Sequence, residues 1–325
     1  MIEKLLSIAS EIENNYNQKD FSKVSFEKLE SIDFQSDLNS LESQITDLIL
    51  KNKLPKQVNL YNLFGQPPIT IFNNGEFVVD IYFWQDNDTS IHDHSFSGAF
   101  KLFSGHSIHE TFKVSRVDHD FKDIYLSELD LADAQLLSSN NTYEIISGDQ
   151  FIHRLVHLSN PTVTVCLRTI NDNEENQWQY FSSGVSIQKN NITETELKYL
   201  FFMEYQFNQN RNNIQSKVMQ FTQDLSFSKL FNFYEKLHLY SFGFSEDFNQ
   251  LAIEIVESII QSNKYFEPYS NYYILAQDFI ECIHDTPEDR LITHCLNNKL
   301  DQKLSEKLFK QISSNDFNEY LLKYQ

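Results

Sequence analysis

The pattern of apolar and polar positions divides the chain into three textures. Over residues 1–60 apolar residues recur at intervals of three and four. Leu5, Ile8, Ala9 and Ile12 mark one face, and Leu38, Leu41, Ile45 and Leu48 a second. That spacing predicts amphipathic helices, and Pro55 predicts where the second stops. From residue 69 the period changes. FVVDIYFW (77–84), AFKLF (99–103), IHETFKV (108–114), YEIIS (143–147), TVTVCLRT (162–169) and QWQYFSS (177–183) are rich in β-branched and aromatic residues, with turn material such as NNG, SG, SGD and SNP between them. Many short strands at this spacing predict a sandwich or barrel, and the Asn-Gly of FNNGEF predicts a hairpin. Beyond residue 193 the helical period returns, opened by a Thr-x-x-Glu capping box at Thr193, and persists near 226–240, 246–262, 270–284, 288–297 and 301–313. The expected plan is an N-terminal helical cover (1–60), a β-barrel (61–190) and a C-terminal all-helical domain (191–325).

Composition narrows the function classes. At 41% apolar, the 325 residues can bury a substantial core, which excludes wholesale disorder. A net charge of −20 argues against nucleic acid and against an anionic membrane surface, since both need clustered Lys and Arg. The N-terminal MIEKLLSIASEIENNYNQ is broken by Glu11 and Glu13, so it reads as neither signal peptide nor anchor. Cys166, Cys282 and Cys295 are widely spaced with no CxxC, which predicts no disulfide framework, no structural zinc and a cytoplasmic setting. None of the glycines builds a GxGxxG or a phosphate loop.

The histidines change the picture. SIHDHSFSGAFKLFSGHSIHETF (90–112) holds four of the ten in the chain. In a strand, residues two apart share a face, so His92 and His94 project together and Asp93 away from them. Two adjacent imidazoles gain most by sharing a metal, and a third ligand must then come from a neighbouring strand. His153, in GDQFIHRLVH and just after the turn signal Ser147-Gly148-Asp149, is the candidate. His157 shares the face of His153 and is expected as a second-layer partner or substitute ligand. His106 and His109 have opposite parity, so at most one faces the barrel, and both are expected to be structural or exposed. Glu110 is expected to pack or pair rather than bind metal. Cys166 reads as a small hydrophobe, or as a thiol near the metal.

The glycine-led strands, the HxH and the downstream histidine resemble the cupin superfamily. FWQDNDTSIHDHSFSGAFKLFSGHSIHETF is more specifically similar to the cysteine dioxygenase (thiol dioxygenase) family. The shared features are the strand ending at Trp84, IHDH at 91–94, AFKLFSG at 99–105, Glu110-Thr111 and FIHRL at 151–155. The likeness covers about residues 65–170. It implies a cupin-like double-stranded β-helix in which His92, His94 and His153 hold a mononuclear Fe(II), or another divalent transition metal, with Trp84 behind the site. Common cupins add a carboxylate ligand four or five residues after the HxH; here those positions are Gly98 and Ala99. Three neutral imidazoles would leave the metal its full +2 charge and several open positions.

The departures are equally specific. Animal members of the family carry a cysteine near position 98, where this chain has Gly98. The family's late-strand Ser, His and Tyr fall on Thr164, Cys166 and Arg168, so its acid–base His and its Tyr are missing. Its carboxylate-clamping arginine lies on a strand before the HxH, and residues 60–84 contain no arginine. Arg168 offers a substitute if Thr164, Cys166 and Arg168 face inward; in the opposite phase the valines fill the barrel and Arg168 meets solvent. The resemblance therefore implies an Fe(II), O₂-dependent oxygenase acting on a small anionic substrate other than free cysteine. A thiolate or enolate would sit on the metal and a carboxylate on Arg168, with Thr164 and Cys166 nearby. The alternative is a non-catalytic metal- or ligand-binding cupin. In either case the helical domain is a candidate surface for a protein or peptide partner.

Overall fold

A computed structural model describes residues 1–34, 37–58, 65, 67–85, 89–117, 122–170, 177–181, 184–189, 192–239, 242–262 and 286–324. The helix expected at 270–284, with Cys282, lies outside the described residues, as do the last two residues of the run 177–183.

The N-terminal segment forms α1 (Ile2–Asn14), α2 (Phe21–Glu30) and α3 (Leu38–Leu50). The predicted face of α1, Leu5, Ile8, Ala9 and Ile12, is buried. Helix α2 was not expected, because its buried positions are Phe21, Ser25 and Leu29 and the serine interrupts the apolar stripe. The Asp37 side chain caps α3 by accepting from the Ser40 amide at 3.0 Å.

The strands are β1 (Pro68–Asn73), β2 (Phe77–Trp84), β3 (Ile91–His94), β4 (Gly98–Ser104), β5 (Ser107–Arg116), β6 (Ile124–Leu137), β7 (Thr142–Ile145), β8 (Gly148–His157), β9 (Thr162–Thr169), β10 (Trp178–Tyr180) and β11 (Val185–Gln188). The Asn-Gly signal makes the β1–β2 turn. The Asn74 side chain accepts from the amides of Glu76 and Phe77, both at 3.0 Å, and Gly75 takes φ +94°. Strand β2 pairs with β9, β3 with β8 and β4 with β7, all antiparallel. These pairs alternate between a sheet ordered β1-β2-β9-β4-β7 and a second, closed into a barrel, ordered β10-β11-β6-β5-β8-β3. One long hairpin wound across two sheets is the double-stranded β-helix of cupins.

Period-two sidedness assigns the two faces of β2, β4 and β9. Phe77, Val79, Ile81, Ala99, Phe103, Val163, Val165 and Leu167 form one core with α1–α3. On the other face Tyr82, Trp84, Phe100, Leu102 and Cys166 cluster with Leu155 of β8. Each fully buried Val, Leu, Ile or Phe contributes about 1.5–3 kcal/mol, enough to fix the register. Lys101 sits buried on the helix-facing side. Its ammonium donates to the Leu29 carbonyl (3.0 Å) and the Glu30 carbonyl (3.4 Å), capping the C-terminal end of α2. Strand β6 escaped the sequence reading because IYLSELDLADAQLL is dominated by Leu, Ala, Asp and Glu, residues that favour helices or are depleted in strands.

Contacts divide the chain into two compact units. The first comprises Met1–Lys113, Asp130–Glu175 and Glu281–Gln325, and the second Val114–Leu129 and Asn176–Ile280. Within the first, α8 (Pro287–Asn297), α9 (Gln302–Ile312) and α10 (Phe317–Leu321) pack Leu291, Ile292, Leu308, Phe309 and Phe317 against Ile108, Val156 and Leu158. The second holds α4 (Glu194–Asn208), α5 (Ile214–Gln223), α6 (Phe227–His238) and α7 (Glu246–Ser262) around Met203, Val218, Phe233, Phe248 and Val256. Helix α4 starts with the predicted capping box, Thr193 and Glu196 satisfying each other's amides. The helical stretch from residue 191 is thus shared between the two units. Among the described residues, no helix is long and apolar enough to cross a membrane.

Candidate metal centre

Strand β3 is buried along its whole length and carries His92 and His94. Its partner β8 places His153 directly opposite His92, while His94 stands opposite Gly148 across a register irregularity. Thr89 locks the entry to β3: its amide donates to the Leu155 carbonyl (2.9 Å) and its hydroxyl accepts from the Leu155 amide (2.6 Å). The three rings make a near-equilateral triangle, with centroid separations of 4.7 Å for His92–His94 and 4.9 Å for both His92–His153 and His94–His153. One ligand atom from each lies within 4.8 Å of the others, and among the described residues no thiol or carboxylate belongs to the cluster.

The ring orientations suit a metal. His92 Nδ1 lies 2.7 Å from the Ser90 carbonyl, which makes Nδ1 the donor and leaves Nε2 with its lone pair. His153 Nδ1 is 3.0 Å from Nε2 of His109, a contact that fixes the orientation of the His153 ring and turns its other nitrogen away from His109. Nδ1 of His94 is buried with no hydrogen-bond partner among the described residues, a position that a cation would satisfy. Burial holds His94 and His153 well below the ordinary histidine pKa, and the neighbouring histidines push in the same direction. Both rings are therefore neutral, as metal binding requires. Phe96 and Phe151 flank His94, and Phe100 and Phe151 flank His153, with centroids 4.5–5.9 Å away.

Thr164, Cys166 and Arg168 share the inward-facing side of β9, settling the phase that the sequence left open. Thr164 accepts from the Trp84 indole N–H at 3.0 Å. Cys166 packs with Tyr82, Trp84 and Phe100, and burial pushes its thiol up to about 12 despite the opposing charge of Arg168. It remains protonated and serves as a small apolar side chain. His157 stacks on Trp84 at 4.5 Å, with its Nδ1 2.9 Å from the Ser107 hydroxyl, and burial lowers its pKa to about 3. It is not one of the converging ligands.

Arg168 is inside the barrel, but the chain itself supplies a carboxylate to it. Nη2 lies 2.9 Å and Nε 3.1 Å from Oδ2 of Asp80 on β2. The Tyr82 hydroxyl donates to the same oxygen at 2.9 Å and lies 3.3 Å from Arg168 Nε. The resemblance put an arginine on the strand before the HxH and a tyrosine on the late strand; here the tyrosine is on the early strand and the arginine on the late one. Gly98 stands opposite Arg168 in the β4–β9 pairing, and a Cβ there would come within 2.0 Å of the Leu167 carbonyl oxygen. No side chain, a cysteine included, fits that position without separating the strands.

Asp80 and Tyr82 carry no sequence signal of a site, because both lie inside the apolar strand run FVVDIYFW. His109 was expected to be structural or exposed. His109 is buried beneath His153, and its burial lowers its pKa to about 4, whereas His106 is exposed. Only the strand pairing reveals His109: on the antiparallel strands β5 and β8 Thr111 faces His153, which makes His109 its diagonal neighbour on the inner face. On the outer face Glu110 accepts from Arg154 Nε (2.7 Å) and from His294 Nε2 of α8 (2.7 Å). Burial alone would raise the Glu110 carboxyl, but His294 and Arg154 outweigh it and hold it at about 2.

No family model matches the chain, and no curated protein matches it. Solved structures give partial likenesses. A cupin-2 domain protein from Shewanella frigidimarina is 12% identical over 39% of this chain and 96% of its own, with a TM-score of 0.23. A hydroquinone 1,2-dioxygenase from Sphingomonas sp. is 11% identical over 34% and 70%, at 0.26. A chain from a study of DMSP lyases is 15% identical over 31% and 42%, at 0.22, so this chain spans less than half its length. At these TM-scores the likenesses do not bear on function; the fold rests on the strand pairing itself.

Proposed function

We propose that the chain is a mononuclear non-haem Fe(II), O₂-dependent oxygenase of the thiol dioxygenase-like type. Its substrate is a small molecule, other than free cysteine, that offers the metal one anionic donor. The observation carrying this reading is the convergence of His92, His94 and His153, with no carboxylate among the described residues in the cluster. Imidazole donors suit iron as they also suit zinc, copper and nickel, and three protein ligands leave room for two further molecules. The orphaned Nδ1 of His94 and the neutral state of His94 and His153 fit a cation at the centre. Bound there, Fe(II) supplies the redox chemistry and the open positions at which a substrate and dioxygen can be brought together.

The chain's own residues do the rest. The Ser90 carbonyl fixes the tautomer of His92, and His109 holds the ring of His153 in place. Phe96, Phe100 and Phe151 exclude water and lower the local dielectric, which strengthens electrostatic interactions in the site. The test is oxygen uptake by the iron-loaded protein against a panel of small thiols and other anionic donors. Thiol-dependent uptake that disappears in His153→Ala supports oxygenase chemistry. Tight iron with no uptake for any donor means a metal-binding cupin without catalysis.

A further inference from the structure

The buried pair Asp80–Arg168 bears on what the site accepts. Both residues are almost fully enclosed, with relative exposures of 1% and 4%. Asp80 Oδ2 takes Arg168 and the Tyr82 hydroxyl, and Oδ1 takes the Thr70 hydroxyl at 2.7 Å. The carboxylate thus holds three hydrogen-bond donors and matches the guanidinium charge, although Nη2 of Arg168 makes no hydrogen bond among the described residues. The arginine also borders the histidine cluster. Its guanidinium lies 5.1 Å from the Phe96 ring centroid, and the Phe96 ring lies 4.8 Å from that of His94.

We propose that Asp80 is a specificity-determining residue: it neutralises Arg168 from within the barrel, so the site takes a carboxylate-free substrate with a single anionic donor. The inference rests on the metal-centre reading above and names the substrate class for it. A substrate that also carried a carboxylate would have two ways to bind. It could join Asp80 on one guanidinium, placing two carboxylates together in a poorly solvated space. It could instead displace Asp80, leaving a buried carboxylate with only Thr70 and Tyr82 for partners. Either arrangement is costly where charges are shielded from water. The arginine thus closes the wall of the site electrostatically rather than serving as an anchor.

The experiment compares two thiols of nearly equal shape, 3-mercaptopropionate and 3-mercaptopropionamide. Their binding to the full-length Fe(II)-loaded protein is followed by calorimetry under nitrogen. The wild type is expected to bind the amide at least about tenfold more tightly than the acid. In Asp80→Asn the freed guanidinium should reverse the order. Because that variant leaves a buried charge unpaired, it should also melt at a lower temperature, and the acid, but not the amide, should raise its melting temperature. The wild-type comparison needs no variant: acid binding as tight as amide binding overturns the role given to Asp80 and leaves the metal-centre reading standing. A protein that holds no metal overturns both.

Discussion

Glu110 links α8 to the barrel strand that carries His153, and its replacement by Gln has a calculable effect. In the folded chain the carboxyl is held at about 2 against an ordinary value of 4.5. The difference of roughly 2.5 units corresponds to about 3 kcal/mol of stability at pH 7. A lowered folded pKa means that this contribution is fully present above the unfolded value near 4.5. It falls away as the pH drops from there towards 2. At pH 3.5 about 2 kcal/mol should remain. Gln preserves the shape and an acceptor oxygen but removes the charge facing Arg154 and His294. Urea unfolding of wild type and Glu110→Gln, each with Trp178→Phe so that Trp84 reports on the first unit, measures the difference. The expectation is a gap of about 3 kcal/mol at pH 7 that narrows by about 1 kcal/mol at pH 3.5. A gap under about 1 kcal/mol at pH 7, or one that does not change with pH, would refute the assignment of an ionised, doubly paired Glu110.

Gly98→Ala should cost at least about 3 kcal/mol, because its Cβ would meet the Leu167 carbonyl oxygen at 2.0 Å and backbone cannot yield as a side chain can. An unchanged melting temperature would contradict the β4–β9 register. His109→Phe removes the hydrogen-bond partner of His153 and should weaken Co(II) binding about 10–100-fold, while His109→Gln, which keeps a polar partner able to donate or accept, should lose less. Metal occupancy should stay level from pH 8 to pH 6. Burial lowers the pKa of His94 and His153, so the neutral ligand forms persist below 6.5, and a loss centred near 6.5 in an occupancy titration would show the rings to be solvated instead.

The hydrophobic pattern made the barrel legible where strands are buried on both faces. Strand β9 has the same bounds as the run TVTVCLRT, and β2 the same as FVVDIYFW. The parity argument for His92 and His94 needed only the two-residue period, and the triangle with His153 follows from β3–β8 pairing. What the pattern could not carry was partnership. Asp80 looks like a polar interruption in an apolar strand, and its match with Arg168 depends on the pairing of β2 with β9, 88 positions away in sequence. His109 faces inward because of where β5 sits against β8, not because of anything in its own neighbours. Strand β6 was hidden by helix-favouring composition overridden by tertiary pairing. The grouping of α8–α10 with the barrel rests on Leu291, Ile292 and Phe309 meeting Ile108 and Val156, contacts no local spacing announces.

Three histidines, with no carboxylate among the described residues, make up the proposed metal centre. Its most direct test is Co(II) titration of the apoprotein, followed by the visible ligand-field bands, with metal content after dialysis, for wild type and for His92→Ala, His94→Ala and His153→Ala. One divalent ion per chain is expected in the wild type, and near-complete loss in each variant. Full retention by His153→Ala, with loss in His157→Ala instead, would contradict this set of ligands.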